Sequence, residues 1–176
     1  MAKKIGVLIV DDSAFMRKVL KDIMESAGDI RVLGTAGDGA AALEKVRELN
    51  PDVITLDVEM PGMDGMTCLR ELQKITDAPV IIVSGLNRDG ERATIEALAA
   101  GAVDLITKPT ALFDIEGEEK RNEIIEKIRM TKGIRRKAGG KNAVKDETLP
   151  AGGGHEGQKS GLLKTLIAIG TSTGGP

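Results

Sequence analysis

Aromatic side chains are almost missing: the 176 residues include two phenylalanines, Phe15 and Phe113, and no tryptophan or tyrosine. That disfavours single-stranded nucleic-acid modules, which stack bases on aromatic rings. A net charge of −2 with both signs mixed along the chain leaves no basic footprint for a phosphate backbone either. No nucleic acid is therefore expected as a partner. The single cysteine, Cys68, excludes an intrachain disulfide and fits a reducing compartment, where it reads as core filling. Long apolar runs are absent too, the longest being strand-length against the roughly 20 residues of a membrane helix. The basic start, Met1 to Lys4, is followed only by the short apolar stretch Ile5 to Val10 and then two aspartates, so it lacks the core of a signal peptide. The cytoplasm is the expected location.

What is present points to a globular α/β protein. Apolar residues make up 41% and charged residues 30% of the chain, enough for one domain of ordinary size and something smaller. Strand-like runs at Ile5 to Val10, Arg31 to Ala36, Val53 to Leu56, Val80 to Ser84 and Val103 to Ile106 alternate with helical patterns, which predicts a parallel sheet with crossover helices. Met16, Val19, Leu20, Ile23 and Ala27 recur at three- and four-residue steps, as do Ala42, Leu43, Val46 and Leu49. Asp64 or Gly65 opens a third helix through Leu69 and Leu72, an alanine-rich fourth covers Glu91 to Ala100, and Ile124, Ile125 and Ile128 stripe a fifth. Strands one, three and four are uninterrupted and so central, whereas Arg31, Thr35 and Asp104 mark strands two and five as edges. The doubly wound, flavodoxin-like (βα)5 order 2-1-3-4-5 satisfies this.

After Met130 the periodicity collapses into glycine and charge. The expected organisation is a domain over residues 1–130, a flexible linker over 131–163 and, where apolar strand character returns, the opening of a second α/β domain over 164–176. Lys132, Arg135, Arg136 and Lys137 read as a solvated linker cluster, with a phosphate or RNA patch as the competing reading.

In such a sheet, ligands sit beyond the carboxyl ends of the strands. Strand one finishes in Asp11 and Asp12, strand three in Asp57, strand four in Ser84, and strand five runs into Lys108-Pro109. Each alone has a plain explanation: Asp12 or Ser13 caps a helix, Asp57 precedes a Pro61-Gly62 turn, Lys108 ends a surface strand. Jointly they gather carboxylates, a hydroxyl and an ammonium on one rim. Clustered carboxylates repel unless a cation compensates, and a hard dication such as Mg2+ takes one or two of them together with a phosphate oxygen. A lysine supplies a point charge for another phosphate oxygen, and a carboxylate is a competent nucleophile toward phosphorus. These parts describe a site for phosphorylating an aspartate.

Asp11-Asp12, the stretch Leu56-Asp57-Val58-Glu59-Met60-Pro61-Gly62-Met63-Asp64-Gly65, Ser84 and Lys108-Pro109 resemble the receiver domain of bacterial two-component response regulators, over residues 3 to about 127. The resemblance implies that Asp57 accepts phosphate from a histidine kinase. It also implies that Asp12, Asp57 and the Glu59 carbonyl bind Mg2+ with Asp11 assisting through water, and that Ser84 and Lys108 contact the phosphoryl group. Receivers often carry an aromatic switch residue three positions before the lysine. Leu105 stands there instead, so a smaller apolar repacking of the fourth helix and fifth strand is expected.

Near the end, Gly170-Thr171-Ser172-Thr173-Gly174 follows the short apolar run Leu166 to Ile169 and fits the nucleophile-elbow pattern G-x-S-x-G. A plain strand-to-helix turn and an anion cradle compete, though a P-loop does not, since no Lys-Ser or Lys-Thr follows the glycines. Receiver, linker and this turn in succession resemble the chemotaxis protein-glutamate methylesterases. That implies Ser172 as the catalytic serine, chemoreceptor methyl esters as substrates and, in many members, deamidation of receptor glutamines. The only histidine, His155, lies in the glycine-rich linker, where it cannot be held for proton transfer. The family's triad histidine and aspartate follow the serine, so the chain is expected to be a fragment inactive as an esterase. The alternative is a receiver whose output is binding alone, or the front half of another regulator.

Overall fold

The computed structural model describes residues 3–85, 88–109 and 117–134. Among the described residues five strands alternate with five helices: β1 (Ile5–Val10), α1 (Ala14–Glu25), β2 (Ile30–Ala36), α2 (Gly39–Leu49), β3 (Val53–Asp57), α3 (Gly65–Ile75), β4 (Val80–Ser84), α4 (Arg88–Ala99), β5 (Asp104–Thr107) and α5 (Glu118–Thr131). All strand pairs are parallel, in the order β2-β1-β3-β4-β5. This is the doubly wound flavodoxin-like arrangement expected from the strand composition.

Alternation along the strands builds one core on each face. Leu8, Val10, Ile54, Leu56 and Ile82 pack with Val46, Leu69, Leu72 and Ala97 from α2, α3 and α4. Val7, Ile9, Val53, Ile81, Val83 and Ile106 pack with Leu20, Ile23, Ile124 and Ile128 from α1 and α5. The central strands β1, β3 and β4 are buried at every position, whereas β2 exposes Arg31.

Three helices start on side-chain caps that satisfy free amides. Ser13 Oγ accepts from the Met16 amide, and Asp38 and Asp64 accept from Ala41 and Thr67. Ser13, not Asp12, therefore caps α1. Gly62, at φ +83°, makes the turn after β3 in backbone that disfavours other residues.

Element ends differ slightly from the periodicity. β3 continues to Asp57 because the ladder with β4 runs on to the pair Asp57 and Val83. β5 is shifted by one residue, with Asp104 accommodated at the sheet edge by Lys127 at 2.9 Å. α4 begins at Arg88, and the early Gly90 hides its first turn from a propensity reading. Among the described residues no helix is long and apolar enough to cross a membrane. The tail with His155 and Ser172, Phe113, and the linker from residue 135 onward lie outside the described residues.

Candidate functional site

The carboxyl ends of β1, β3, β4 and β5 bring five of the sequence-selected side chains to one rim. Asp11 and Asp57 are completely buried, Ser84 is buried and Asp12 is exposed. Lys108 reaches between the buried acids, its Nζ donating to Asp57 Oδ2 at 2.6 Å and lying 3.0 Å from Asp11 Oδ2. The first contact is a charged hydrogen bond. The second is an ion pair without hydrogen-bond alignment, so among the described residues Asp11 Oδ2 is buried with no hydrogen-bond partner, though it is ion-paired to Lys108.

The other carboxylate oxygens are held by the main chain. Asp11 Oδ1 accepts from the Ser13 amide at 2.8 Å and Asp57 Oδ1 from the Glu59 amide at 2.9 Å. Each acid is thus oriented by the residue two positions on. The Lys108 amide donates to the Ser84 carbonyl at 2.8 Å, which ties the ends of β4 and β5 together. The Ser84 hydroxyl donates a long bond, 3.3 Å, to the Gly85 carbonyl. Gly65 closes the site from below: a Cβ there would lie 2.4 Å from Val58 Cα and 2.5 Å from the Asp57 carbonyl oxygen. The helix start can pass beneath the strand end only as glycine.

Burial dominates the electrostatics. Desolvation raises the Asp57 pKa above the usual 3.8, despite the opposing hydrogen bonds from Lys108 and the Glu59 amide, and the Asp11 charge adds to the rise. For Lys108, desolvation works against the charge but is outweighed by the hydrogen bond to Asp57 and the proximity of Asp11, and its pKa is raised. The amine stays protonated.

Carboxylate oxygens of Asp11, Asp12 and Asp57 lie within 4.8 Å of one another. An all-oxygen donor set of this size, two of its members buried and one buried oxygen lacking a hydrogen bond among the described residues, fits a small hard dication such as Mg2+. Glu59 is exposed beside the cluster. Leu105 lies outside it, lining an apolar cavity of 370 Å³ with Ile95, Leu98, Thr94 and Thr107; Ser84 borders both places.

Sequence reasoning missed Arg17. Its Nη1 donates to the carbonyls of Asp11 at 2.7 Å and Asp12 at 3.1 Å. The only signal was an arginine one turn into α1, a position that reads as solvated helix surface.

Over its full length the chain is 44% identical to a protein-glutamate methylesterase/protein-glutamine glutaminase of Pyrococcus horikoshii, covering 47% of that protein. Identity to the Thermotoga maritima protein of the same description is also 44%, over 98% of this chain and 48% of the relative. The chain thus spans about half the length of these curated relatives. The crystal structure of the response regulator domain of Thermotoga maritima CheB superposes with a TM-score of 0.67 at 48% identity, over 75% of this chain and 98% of that one. A chain of the CheX-CheY-BeF3-Mg2+ complex from Borrelia burgdorferi matches with a TM-score of 0.60 at 33% identity, over 73% of this chain and 89% of that one. Residues 7–117 match the model of the response regulator receiver domain, and the chain belongs to that family.

Proposed function

We propose that this chain is the phosphorylation-controlled regulatory part of a chemotaxis protein-glutamate methylesterase, with Asp57 as phosphoacceptor. The observation that carries the proposal is the buried Asp57 carboxylate, held between Lys108 and the Glu59 amide beside two further acids. In its ionised form, one Asp57 oxygen attacks the phosphorus of a phosphohistidine on a cytoplasmic chemotaxis kinase. The new O–P bond forms as the N–P bond breaks, and its electron pair stays on the donor's imidazole. Lys108, already 2.6 Å from Asp57 Oδ2, turns its ammonium onto a phosphoryl oxygen. The Ser84 hydroxyl exchanges its long bond to Gly85 for a second phosphoryl oxygen. Asp12, Asp57 and the Glu59 carbonyl would hold Mg2+, with Asp11 assisting through water, and the ion would offset phosphate charge when bound.

Ser84 also borders the cavity walled by Leu105, Ile95 and Leu98. Its movement toward a phosphoryl group would reshape that apolar surface, with Leu105 repacking in place of an aromatic switch. The proposed output is relief of a block on a methylesterase unit that begins within residues 164–176 after a linker over 131–163, with Ser172 as its nucleophile and methyl-accepting chemoreceptors as substrate. The one histidine in the sequence, His155, lies outside any rigid element expected from the sequence, so the chain by itself is predicted to hydrolyse no ester. Deamidation of receptor glutamines belongs to the same proposal, because the relatives carry both activities in their names.

Incubation with acetyl phosphate and Mg2+, read by intact mass, should add one phosphoryl group to wild type and none to Asp57→Asn. Equal labelling of the variant would remove Asp57 from the role. Gating is tested on the full-length parent: methanol release from methylated receptors should rise with a phosphodonor, and equal rates would count against it.

A further inference from the structure

The β1 ladders to β2 and β3 end at Val10. Beyond it, the carbonyls of Asp11 and Asp12 have lost their place in the sheet, although the loop they belong to must hold two carboxylates in register with Asp57. Arg17 supplies the missing donor, one guanidinium nitrogen bonding both carbonyls at 2.7 and 3.1 Å. Its own amide bonds the Ser13 carbonyl at 3.0 Å, so the loop is closed on the first turn of α1 from two directions. The opposite wall is Gly37, where a Cβ would come within 3.3 Å of the same nitrogen. A side chain there would crowd the guanidinium.

We propose that Arg17 is a positioning residue that fixes the Asp11-Asp12 loop for dication binding through its two carbonyl hydrogen bonds. This rests on the Mg2+ reading of the acid cluster. Arg17 does not touch the ion or the phosphoryl group; it acts on the main chain that carries the ligands. Such outer contacts set how far ligand atoms stray from the geometry Mg2+ demands, and their loss typically weakens metal binding by about 10- to 100-fold. A small octahedral ion is sensitive to errors of a few tenths of an ångström.

The test is calorimetric titration of Mg2+ into the full chain without phosphodonor, with far-UV circular dichroism and thermal unfolding of the metal-free form recorded in parallel. Arg17→Met should raise the Mg2+ dissociation constant about tenfold or more, Arg17→Lys by less, and Gly37→Ala in the same direction by a smaller factor. Lys18→Met removes a charge from the same helix, at a residue paired with Asp22 rather than with the loop, and should leave the constant unchanged. A wild-type constant retained by folded Arg17→Met overturns the proposal, as does equal weakening by Lys18→Met, which would reduce Arg17 to its charge. Should Arg17→Met fail to fold, an unchanged constant in Arg17→Lys overturns it instead. Wild type that binds no Mg2+ would remove the underlying reading and this proposal with it.

Discussion

Asp29 and Asp57 stand at opposite ends of the same sheet, each hydrogen-bonded to a cation, and their carboxyl groups respond in opposite directions. Asp29 precedes β2 and takes a fork of two bonds, 2.9 and 2.8 Å, from Arg129 on α5. Those bonds are the main reason its pKa falls below the usual 3.8. Asp57 ends β3 and takes a shorter bond, 2.6 Å, from Lys108, yet its pKa rises because burial outweighs the ammonium. The difference is water: the Asp29 side chain is 49% exposed and that of Asp57 is fully covered. One end of the sheet uses ion pairing as surface trim. The other keeps a carboxylate under electrostatic pressure beside a partly buried cation.

Removing the cation from the buried end should produce the largest effect. Lys108→Met leaves Asp11 and Asp57 facing each other without compensation, and breaking one side of a buried ion pair costs about 3 kcal/mol or more. Urea unfolding of the metal-free protein at neutral pH should show that loss, and adding Mg2+ should recover part of it. An unchanged midpoint would mean that Lys108 does not neutralise the pair.

Backbone crowding separates the two ends next. Gly65→Ala drives a methyl into Val58 Cα and the Asp57 carbonyl, atoms of the main chain that cannot turn aside. Overpacking of this kind costs about 1 to 3 kcal/mol and should also slow phosphorylation by shifting the strand end. Gly6→Ala, at the amino end of β1, meets chiefly the Leu33 side-chain tip at 2.6 Å, which can rotate away. It should cost under about 1 kcal/mol and leave phosphorylation unaffected. Equal losses would show that the carboxyl end is no more constrained than its opposite.

How well the residues announced these features follows from what each depends on. The sheet order was legible because burial on both faces demands uninterrupted apolar runs, and β1, β3 and β4 have them, apart from Thr55. Asp11, Asp57 and Lys108 were legible because topology alone carries strand ends to one rim. Arg17 was not, since a cation on a helix face looks solvated until the carbonyls it bonds are in place. Nor was the choice of Ser13 over Asp12 as cap, because both stand at suitable spacing and only the fold brings the Ser13 hydroxyl to the Met16 amide. Thr55, buried in β3 with a hydroxyl lacking a partner among the described residues, was read simply as part of an apolar run.

Acidity offers a finer comparison, and its sign is fixed by the shifts. Asp57 has a raised pKa in the fold, so the stability gained by protonating it is fully present below 3.8 and is lost as pH rises through the raised folded value. In metal-free protein, wild type should gain stability relative to Asp57→Asn as pH falls across that window. Parallel stability profiles for the two proteins would mean that Asp57 titrates normally.

The exposed pair should give the smallest change and the opposite slope. Asp29 has a lowered pKa, so its contribution is present above 3.8 and is lost as pH falls through its folded value. Arg129→Met removes the fork and should lower the melting temperature slightly at neutral pH, with the difference from wild type shrinking in acid and in high salt, where exposed charges are screened. Arg129 also pairs with Glu126 on its own helix, so Asp29→Asn is the cleaner variant and should reproduce the acid and salt dependence. If its effect instead survived high salt undiminished, the Asp29–Arg129 pair would not be acting as an exposed, solvent-screened pair, and the contrast between the two ends of the sheet would fail at this end.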